Sequence, residues 1–478
     1  MSEPAEAVDV PDVDESPVES ESGADGEESK LGDGAPSGAA HSWRQAERRA
    51  PRPAVNDPNQ PFRPPAPTSF EEAGLNYAQI ESLVLKYLVG VGMASGRRIA
   101  GELGLSFGLF PDFLRQLKNQ QILAYANSSA ANDYIYALTD LGRARAKVYL
   151  EECAYVGAAP VPFREYVRSV AAQTIANEHP QRADLERAFS DLLVADSMFD
   201  QLGPAINSGR GLFLYGYPGN GKTSIAERIT RCFGTSVWIP RVIDADGVII
   251  KLFDPANHEP CDTRGGGLMR EDDFDHRWVE IKRPTLVAGG ELTMADLEIY
   301  YDPTTKICEA PLQLKSNNGT FLIDDFGRQR MQPIELLNRW IVPLEKRYDF
   351  LRLPNGKKIK VPFDQLILFS TNLEPKHLVD EAFLRRIPYK IQAADPTEEM
   401  FRSMFDIFAP KLGFPAADRA AIEHLVAAHY ASVGRPFRCC QPRDLLLQVK
   451  NHCIYHDMPL ELKPEYFDVA AGNYFTVM

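Results

Sequence analysis

The sequence has few cysteines and no long apolar run, and each shortage excludes a class of protein. Seven cysteines occur in 478 residues, and none forms a CxxC pair or a spacing typical of zinc sites or disulfide frameworks. No segment approaches the roughly 20 apolar residues that a membrane helix requires. The acidic N-terminus also lacks the apolar stretch of a secretory signal. We therefore expect reduced thiols and a cytoplasmic protein without a membrane span.

Histidine is also sparse, and its placement does not predict a metal site. His258 with Cys261 and Cys308 offers three ligands that are scattered along the chain. His452 and His456 are four residues apart, but no third ligand accompanies them in the sequence. Three scattered ligands, or one pair of histidines without further ligands, are a weak signal for a metal site.

Large apolar residues are scarce over the first 68 residues. Residues 1–33 carry twelve acidic side chains against the single Lys30, a net −11 of the formal charge of −14, and arginines and then prolines follow. Because such a segment buries too little apolar surface to offset its ordering entropy, residues 1–68 are predicted to be a disordered acidic and proline-rich tail. It would serve as a solubilising tether or as a docking arm. The remaining chain is nearly neutral, which neither requires nor excludes a nucleic-acid partner.

The first folded segment, residues 69–152, alternates helical and strand-like patterns. These are three helical patterns, two strand-like runs and a last helical pattern, at 77–88, 96–103, 111–118, 122–125, 134–138 and 140–152. The order, and the stretch YALTDLGRARA at its end, resembles the winged-helix family. The resemblance implies a winged-helix domain at 69–152.

Residues 216–223, GYPGNGKT, match the P-loop (Walker A) pattern GxxxxGK[ST] between an apolar strand-like run and a helical run. The glycines allow backbone N–H groups to surround a phosphate, and the helix N-terminus adds the positive end of its dipole. Lys222 would supply a cation to the β and γ phosphates of ATP. The predicted nucleotide-binding residues are Gly216, Pro218, Gly219, Asn220, Gly221, Lys222, Thr223 and Ser224.

A second apolar run, 320–323, ends in the pair Asp324 and Asp325. In P-loop nucleotide hydrolases an aspartate at a strand end holds Mg²⁺ together with the P-loop hydroxyl. The predicted metal residues are therefore Thr223 and Asp324, and the predicted cofactors are ATP and Mg²⁺.

A third apolar run, 366–369, ends in Ser-Thr-Asn at 370–372, and from here the chain resembles the AAA+ ATPases. The resemblance covers about residue 180 to the C-terminus. It implies that Asn372 is the sensor 1 residue, and that Asp325 stands where the family usually carries the glutamate that polarises the attacking water. Because aspartate is one methylene shorter than glutamate, slow turnover is expected.

The same resemblance implies two further arginine roles. Arg385 or Arg386 would be the arginine finger that reaches a neighbouring subunit's nucleotide, and the sequence does not choose between them. Arg443, in the segment Gln-Pro-Arg-Asp, corresponds to the sensor 2 arginine of the C-terminal helical lid. A finger acts in trans, so the resemblance implies a homo-oligomer, with a hexameric ring as one form.

Residues 242–318 form a longer connection than one strand and its flanking helices need. Either this insertion faces substrate, through Leu268, Met269, Tyr300 and Tyr301, or it forms a local core of its own. A strand–Asn-Gly–strand pattern at 350–361 predicts a hairpin. A hairpin at this place resembles the AAA+ subgroup that includes helicase motors, sigma-factor activators and bacterial MoxR-like chaperones, and the motor is most similar to the last of these.

The expected fold is α/β: a P-loop NTPase parallel sheet at 153–392 and a helical lid at 393–478, preceded by the winged helix and the tail. The favoured function is a chaperone-like ATPase that remodels an unidentified protein substrate, with the winged helix as adaptor. The third helix of that domain offers only Arg115 and Lys118, few cations for duplex binding. A DNA-directed ATPase or initiator, and a slow nucleotide-dependent switch or scaffold, are the alternatives.

Overall fold

The six elements predicted for residues 77–152 are observed in that order, with one further short strand between the first two helices. The structure is a computed structural model that describes residues 62–129, 133–261, 274–378, 381–415 and 418–476. Residues 77–152, here called the N-terminal module, comprise α1 (Tyr77–Val91), β1 (Met93–Ser95), α2 (Gly96–Leu103), α3 (Phe110–Asn119), β2 (Leu123–Ser129), β3 (Asp133–Leu138) and α4 (Asp140–Glu152). The strands form an antiparallel sheet in the order β1-β3-β2.

The remaining chain alternates short strands and helices. Its strands are β4 (Val161–Pro162), β5 (Leu212–Tyr215), β6 (Ser236–Pro240), β7 (Val242–Ala245), β8 (Val248–Lys251), β9 (Trp278–Lys282), β10 (Thr285–Ala288), β11 (Tyr300–Asp302), β12 (Ile307–Glu309), β13 (Thr320–Ile323), β14 (Tyr348–Arg352), β15 (Lys358–Pro362), β16 (Leu366–Thr371) and β17 (Tyr389–Gln392). Its helices are α5 (Phe163–Ala172), α6 (Arg182–Ala188), α7 (Asp196–Asn207), α8 (Lys222–Ile229), α9 (Leu312–Lys315), α10 (Pro333–Arg339), α11 (Ile341–Lys346), α12 (Glu381–Leu384), α13 (Glu398–Lys411), α14 (Arg419–His429), α15 (Gln441–Tyr455) and α16 (Pro464–Phe475).

A five-stranded sheet in the order β10-β13-β16-β5-β17 is the centre of the fold, and we call it the main sheet. Every neighbouring pair is parallel. The central strands β13 and β16 are buried along their whole length, as expected for a parallel sheet covered on both faces. The predicted α/β class with a parallel sheet is confirmed. The carboxyl ends of β5, β13 and β16 lie at one edge.

The main sheet includes one strand that the sequence analysis assigned to the insertion. β10 pairs with β13 in parallel, from Thr285 opposite Thr320 to Ala288 opposite Ile323, so the 242–318 boundary of the insertion is wrong at this point. Four residues are too few for periodicity to distinguish a core strand from part of an excursion.

The rest of the insertion contributes β7, β8, β11 and β12 to a second sheet, in the order β11-β12-β8-β7-β4, and β9 to a β6-β9 ribbon; β4 and β6 precede the insertion. Its apolar side chains form one core with the predicted hairpin, now seen as β14-β15; Ile243, Ile250 and Cys308 pack with Leu351 and Val361. For its described residues, the insertion therefore has the local core that one of the two alternatives predicts. Tyr300 and Tyr301 are exposed on the edge strand β11; Leu268 and Met269 lie outside the described residues.

The N-terminal module is bonded to this second sheet. Val242 and Ile307 belong to the apolar core of the module. The side-chain amide of Gln79 donates to Asp244 Oδ2 at 2.6 Å, and the backbone amide of Ala154 donates to the carbonyl of Thr305 at 2.9 Å. The buried Arg277 guanidinium donates to the carbonyl of Ala73 at 2.8 Å. Apolar packing and hydrogen bonds together fix the module in place.

Residues 62–68, predicted to belong to the disordered tail, also pack on the insertion. The Phe62 ring lies 5.8 Å from the Trp278 ring, and the Asp275 amide donates to the Pro64 carbonyl at 3.0 Å. Composition does not detect such an extended segment because its partners are far away in sequence. The rest of the predicted tail, to residue 61, lies outside the described residues.

The C-terminal helices α13 to α16 have an apolar core of their own, in which Phe401 and Phe405 pack with Leu445 and Phe467. This core is separate from the two that cover the faces of the main sheet. Within the described ranges, no helix has the length and apolar character to cross a membrane.

Candidate nucleotide site

The loop between β5 and α8 is held by glycines in conformations that other residues rarely adopt. Gly216, Gly219 and Gly221 have φ values of 145°, 86° and 74°. A Cβ on Gly216 would lie 2.5 Å from the Ala393 carbonyl oxygen, so this position also lacks space for a side chain. Gly221 ends the loop as the N-cap of α8 and supplies no side-chain cap. The first N–H groups of α8 are therefore not capped by that residue's side chain, as an anion-binding helix start requires.

Lys222 is buried, and its ammonium is fixed by three acceptors. Nζ donates to the carbonyls of Gly216 and Tyr217 at 3.0 and 3.1 Å, and to Asn372 Oδ1 at 2.7 Å. Burial lowers the pKa of Lys222 from its usual value, and the nearby charges of Asp324 and Asp325 oppose that shift. The cation is thus oriented within the loop that encloses it.

Thr223 and Asp324 are brought together as predicted. Thr223 Oγ1 donates to Asp324 Oδ2 at 2.7 Å, across the ends of α8 and β13. A hydroxyl and a carboxylate at this separation fit the hard oxygen ligands that Mg²⁺ prefers. These two residues would hold the ion, which would supply charge neutralisation at the phosphates.

Asp325 adopts a left-handed backbone conformation, with φ of 50°, which is uncommon outside glycine and asparagine-like residues. Gln329 stabilises this turn, since its side-chain amide donates to the carbonyls of Asp324 and Asp325 at 2.8 and 3.2 Å. Asp325 Oδ1 accepts a hydrogen bond of 3.0 Å from Asn372 Nδ2. The turn thus places the carboxylate beside the sensor 1 candidate.

Asn372 therefore joins two charged groups. Its Oδ1 accepts from Lys222 and its Nδ2 donates to Asp325, which fixes the orientation of the side-chain amide. The residues involved come from the carboxyl ends of β13 and β16 and from the start of α8, and these ends meet because the strands are parallel neighbours.

An apolar cavity of about 390 Å³ lies beside this polar network. It lies between the P-loop, the segment that leads into α7, and α13. Its apolar lining includes Leu192, Val194, Met198, Met404, Ile407 and Phe408. Asn220 also lines it and donates to the carbonyl of Ala393 and to Asp395 Oδ1, at 3.2 and 2.7 Å, while its own buried Oδ1 has no partner among the described residues. An apolar lining and an acceptor, Asn220 Oδ1, without a partner among the described residues are the chemistry that a heteroaromatic base with donors would use.

The two finger candidates differ in their surroundings. Arg386 Nε donates to Glu345 Oε1 at 2.6 Å and its side chain is only 21% exposed. Arg385 is exposed and has no side-chain hydrogen bond or ion pair in the part of the chain that the structure describes. Of the pair, Arg385 is the one that a second molecule can reach without loss of an internal ion pair.

The C-terminal helices reach the P-loop through residues that the sequence analysis did not single out. Arg443, the sensor 2 candidate, is in the first turn of α15, is 57% exposed and donates to Asp444 at 3.1 Å. Instead, the Arg438 guanidinium lies 4.3 Å from the Tyr217 ring centroid and forms an ion pair with Asp395. Only its position just before α15 could have suggested Arg438.

The remaining predicted residues have peripheral positions. Pro218 is exposed at the tip of the loop, and Ser224 is half-buried in the first turn of α8, where its carbonyl accepts from Arg228 at 2.8 Å. His258, considered for a metal, is buried with Nδ1 accepting from the Asp254 amide and Nε2 against the Lys315 carbonyl at 2.8 Å. Both of its nitrogens are engaged.

One family model matches the C-terminal part of the chain. A family model described as a domain of unknown function (DUF8689) matches residues 397–473, which are the C-terminal helices and less than half of the chain. No curated protein matches the sequence.

Three solved structures are similar to parts of this chain. NtrX from Brucella abortus is 15% identical, with 61% of this chain and 59% of that chain covered and a TM-score of 0.39. A RuvB mutant from Thermotoga maritima is 12% identical, with 64% and 74% covered and a TM-score of 0.34. A magnesium chelatase complex of BchI and BchD is 15% identical, with 60% and 94% covered and a TM-score of 0.31. The chain thus spans less than two thirds of the length of NtrX. Its function is therefore inferred from the residues of the site.

Proposed function

We propose that this chain is a Mg²⁺-dependent ATP hydrolase of the AAA+ type. The observation that carries the proposal is the network in which Asn372 joins the P-loop cation of Lys222 to the carboxylate of Asp325. Contacts of this kind also occur in networks with a purely structural role. Here, however, the network lies at the carboxyl ends of the strands. Beside it are a loop and a helix start that suit a phosphate, and a cavity that suits a base.

In this proposal each residue acts on a defined part of the substrate. The P-loop amides and Lys222 bind the phosphates, and Thr223 and Asp324 hold Mg²⁺. Asp325 accepts a proton from the attacking water and Asn372 orients that carboxylate. The left-handed turn at Asp325 brings the shorter side chain to Asn372, which supports hydrolysis over the slow-switch alternative.

We further propose that the active species is a homo-oligomer in which Arg385 of one subunit completes the site of the next. Arg385 is exposed, whereas Arg386 forms an ion pair with Glu345. This difference supports the choice of Arg385 as the finger. The same proposal includes a motor similar to MoxR-like ATPases, a lid formed by the C-terminal helices, and a hexameric ring.

The N-terminal module, proposed as a winged helix, would bind a protein partner for remodelling. On α3, Arg115 is paired with Asp112 at 2.9 Å, and Lys118 lies 5.5 Å from the centroid of the Tyr125 ring. The stacked and partly exposed rings of Tyr125 and Tyr134 provide the amphipathic contact area that protein interfaces favour. The predicted reading helix thus offers only two cations, one of them paired with a neighbouring carboxylate, and this small number supports a protein adaptor over duplex DNA.

The catalytic assignment is tested by phosphate release from Mg-ATP with the full chain. The Asp325→Asn variant keeps the size and the Asn372 contact but loses the base, so turnover should fall by about 10²–10⁴-fold while ATP affinity stays within about twofold. The matched control is Asp246→Asn, which changes an exposed turn residue that is distant in sequence from Asp325. This variant should keep wild-type turnover. Wild-type turnover by Asp325→Asn would show that another group activates the water.

A further inference from the structure

Two histidines and one aspartate converge on the C-terminal helices. His424 and His429 are on α14 and Asp468 is on α16. Their Nε2 atoms lie 2.8 and 2.7 Å from the same carboxylate oxygen, Asp468 Oδ1. The three ligand atoms all lie within 4.8 Å of one another. None of the three residues lines the cavity beside the P-loop.

The surroundings of this cluster leave it accessible. The side chains of His424, His429 and Asp468 are 38%, 25% and 48% exposed, so an ion and a water molecule can reach them. The imidazole rings are 6.3 Å apart, and each reaches the oxygen independently.

We propose that His424, His429 and Asp468 form a binding site for a divalent transition-metal ion, with Zn²⁺ as the representative ion. Two imidazole nitrogens and one carboxylate oxygen are a ligand set that Zn²⁺ accepts, and water completes the tetrahedron. The metal would take the place of the direct contacts that the two Nε2 atoms now make with Asp468 Oδ1. Mg²⁺ would not compete effectively, because it prefers oxygen ligands.

Other histidines in the described residues do not offer an equal site. Within the ranges that the structure describes, this is the one group of three potential ligands. The rings of His452 and His456 on α15 are 4.6 Å apart, but they lack a third ligand. That pair serves as an internal comparison for the proposal.

A bound ion would fix α16 against α14. Farther along α16, the Tyr474 hydroxyl lies 3.6 Å from Cys440 Sγ and donates to Asp444 Oδ2 at 3.3 Å. Cys440 in turn contacts the P-loop through its amide, which donates to the Gly219 carbonyl at 2.9 Å. The metal would thus stabilise the helix that supports the contact between the C-terminal helices and the P-loop.

The test is a calorimetric titration of Zn²⁺ into the metal-stripped, nucleotide-free full chain, with excess Mg²⁺ present. We expect one high-affinity ion per chain. His429→Ala and Asp468→Asn should each lower the affinity at least about tenfold, the loss typical of disturbed metal sites. His452→Ala should retain wild-type affinity.

Co²⁺ binding gives a readout that does not depend on the variants. Co²⁺ held by imidazole and carboxylate lacks the intense thiolate charge-transfer band that a site formed by Cys439 and Cys440 would produce. The proposal is overturned if the wild-type chain binds no Zn²⁺, if a thiolate band appears, or if His452→Ala loses the ion while His429→Ala keeps it.

Discussion

The amide of Cys440 donates a hydrogen bond of 2.9 Å to the carbonyl of Gly219, and the Cys440 thiol occupies the space that a Cβ on Gly219 would need. The segment before α15 thus lies directly on the P-loop. Any side chain at Gly219 must displace that segment or the loop, and the affinity for nucleotide should report the displacement.

We expect Gly219→Ala to weaken ATP binding by about tenfold, since the left-handed backbone at φ of 86° alone costs an alanine about 1–2 kcal/mol. The added Cβ would also lie 2.6 Å from Cys440 Sγ. Equilibrium titration with a fluorescent ATP analogue measures the loss.

Gly247→Ala is the control for backbone strain outside the P-loop, since Gly247 lies in the turn between β7 and β8. Gly247 has φ of 80° and open space around its Cβ position, so it bears a similar strain without the clash and should leave ATP affinity unchanged. Adding Cys440→Ala to Gly219→Ala should restore part of the affinity. Equal affinities of the two single glycine variants would contradict this account of the contact.

Lys222→Ala should lower ATP affinity by roughly 10- to 100-fold, because charge-assisted hydrogen bonds to a phosphate are worth about 1.5–3 kcal/mol. Lys358→Ala, at an exposed position on β15, is the control and should bind ATP normally. The same fluorescent titration measures both, and circular dichroism checks that each variant is folded. Unchanged affinity in Lys222→Ala would remove the P-loop from the proposed site.

Arg385→Ala should abolish most ATP turnover without loss of ATP affinity, because a finger acts in trans on a neighbour's nucleotide; the expected loss is about 10³-fold or more. Arg386→Ala removes an ion pair with Glu345, and the partly exposed pair is worth about 0–1 kcal/mol of stability. Phosphate release, measured at several protein concentrations, compares the turnover of the two variants.

Mixing Arg385→Ala with Lys222→Ala should restore activity, since a mixed interface pairs an intact P-loop with an intact finger. Turnover per subunit should also rise with the concentration of the wild-type protein. A chain that stays monomeric at every concentration and has constant specific activity would exclude a finger in trans.

Duplex DNA should bind the full chain weakly at physiological salt. Each phosphate contact adds an increment of about −0.9 to the slope of log affinity against log salt, and the engaged Arg115 and Lys118 would give at most a shallow slope. A titration of labelled duplex at two salt concentrations measures it. Submicromolar affinity with a steep slope would favour the DNA-directed alternative over the protein adaptor.

Local chemistry was sufficient to predict the elements that carry the site. The apolar runs end in polar residues, so the positions of Asp324, Asp325 and Asn372 at the ends of strands could be predicted before their contacts were known. Turn chemistry acted likewise: Gly356 lies in the predicted hairpin turn with φ of 83°.

Contacts between distant segments could not be predicted in this way. Arg438 is close to Tyr217 only because α15 folds over the loop. His424 and His429 lie 44 and 39 residues from Asp468, and no spacing rule joins them. Periodicity describes one element at a time, so it does not show which elements meet.

The attachment of the N-terminal module to the second sheet has a mechanical consequence. Arg277 is buried and bonded both to Ala73 and, at 3.2 Å, to Pro160, and Gln79 is bonded to Asp244. Together with the packing of Val242 and Ile307 in the core of the module, these bonds oppose a separation of the module from the second sheet. A displacement of the second sheet would therefore have to move the module with it or break the Gln79–Asp244 hydrogen bond.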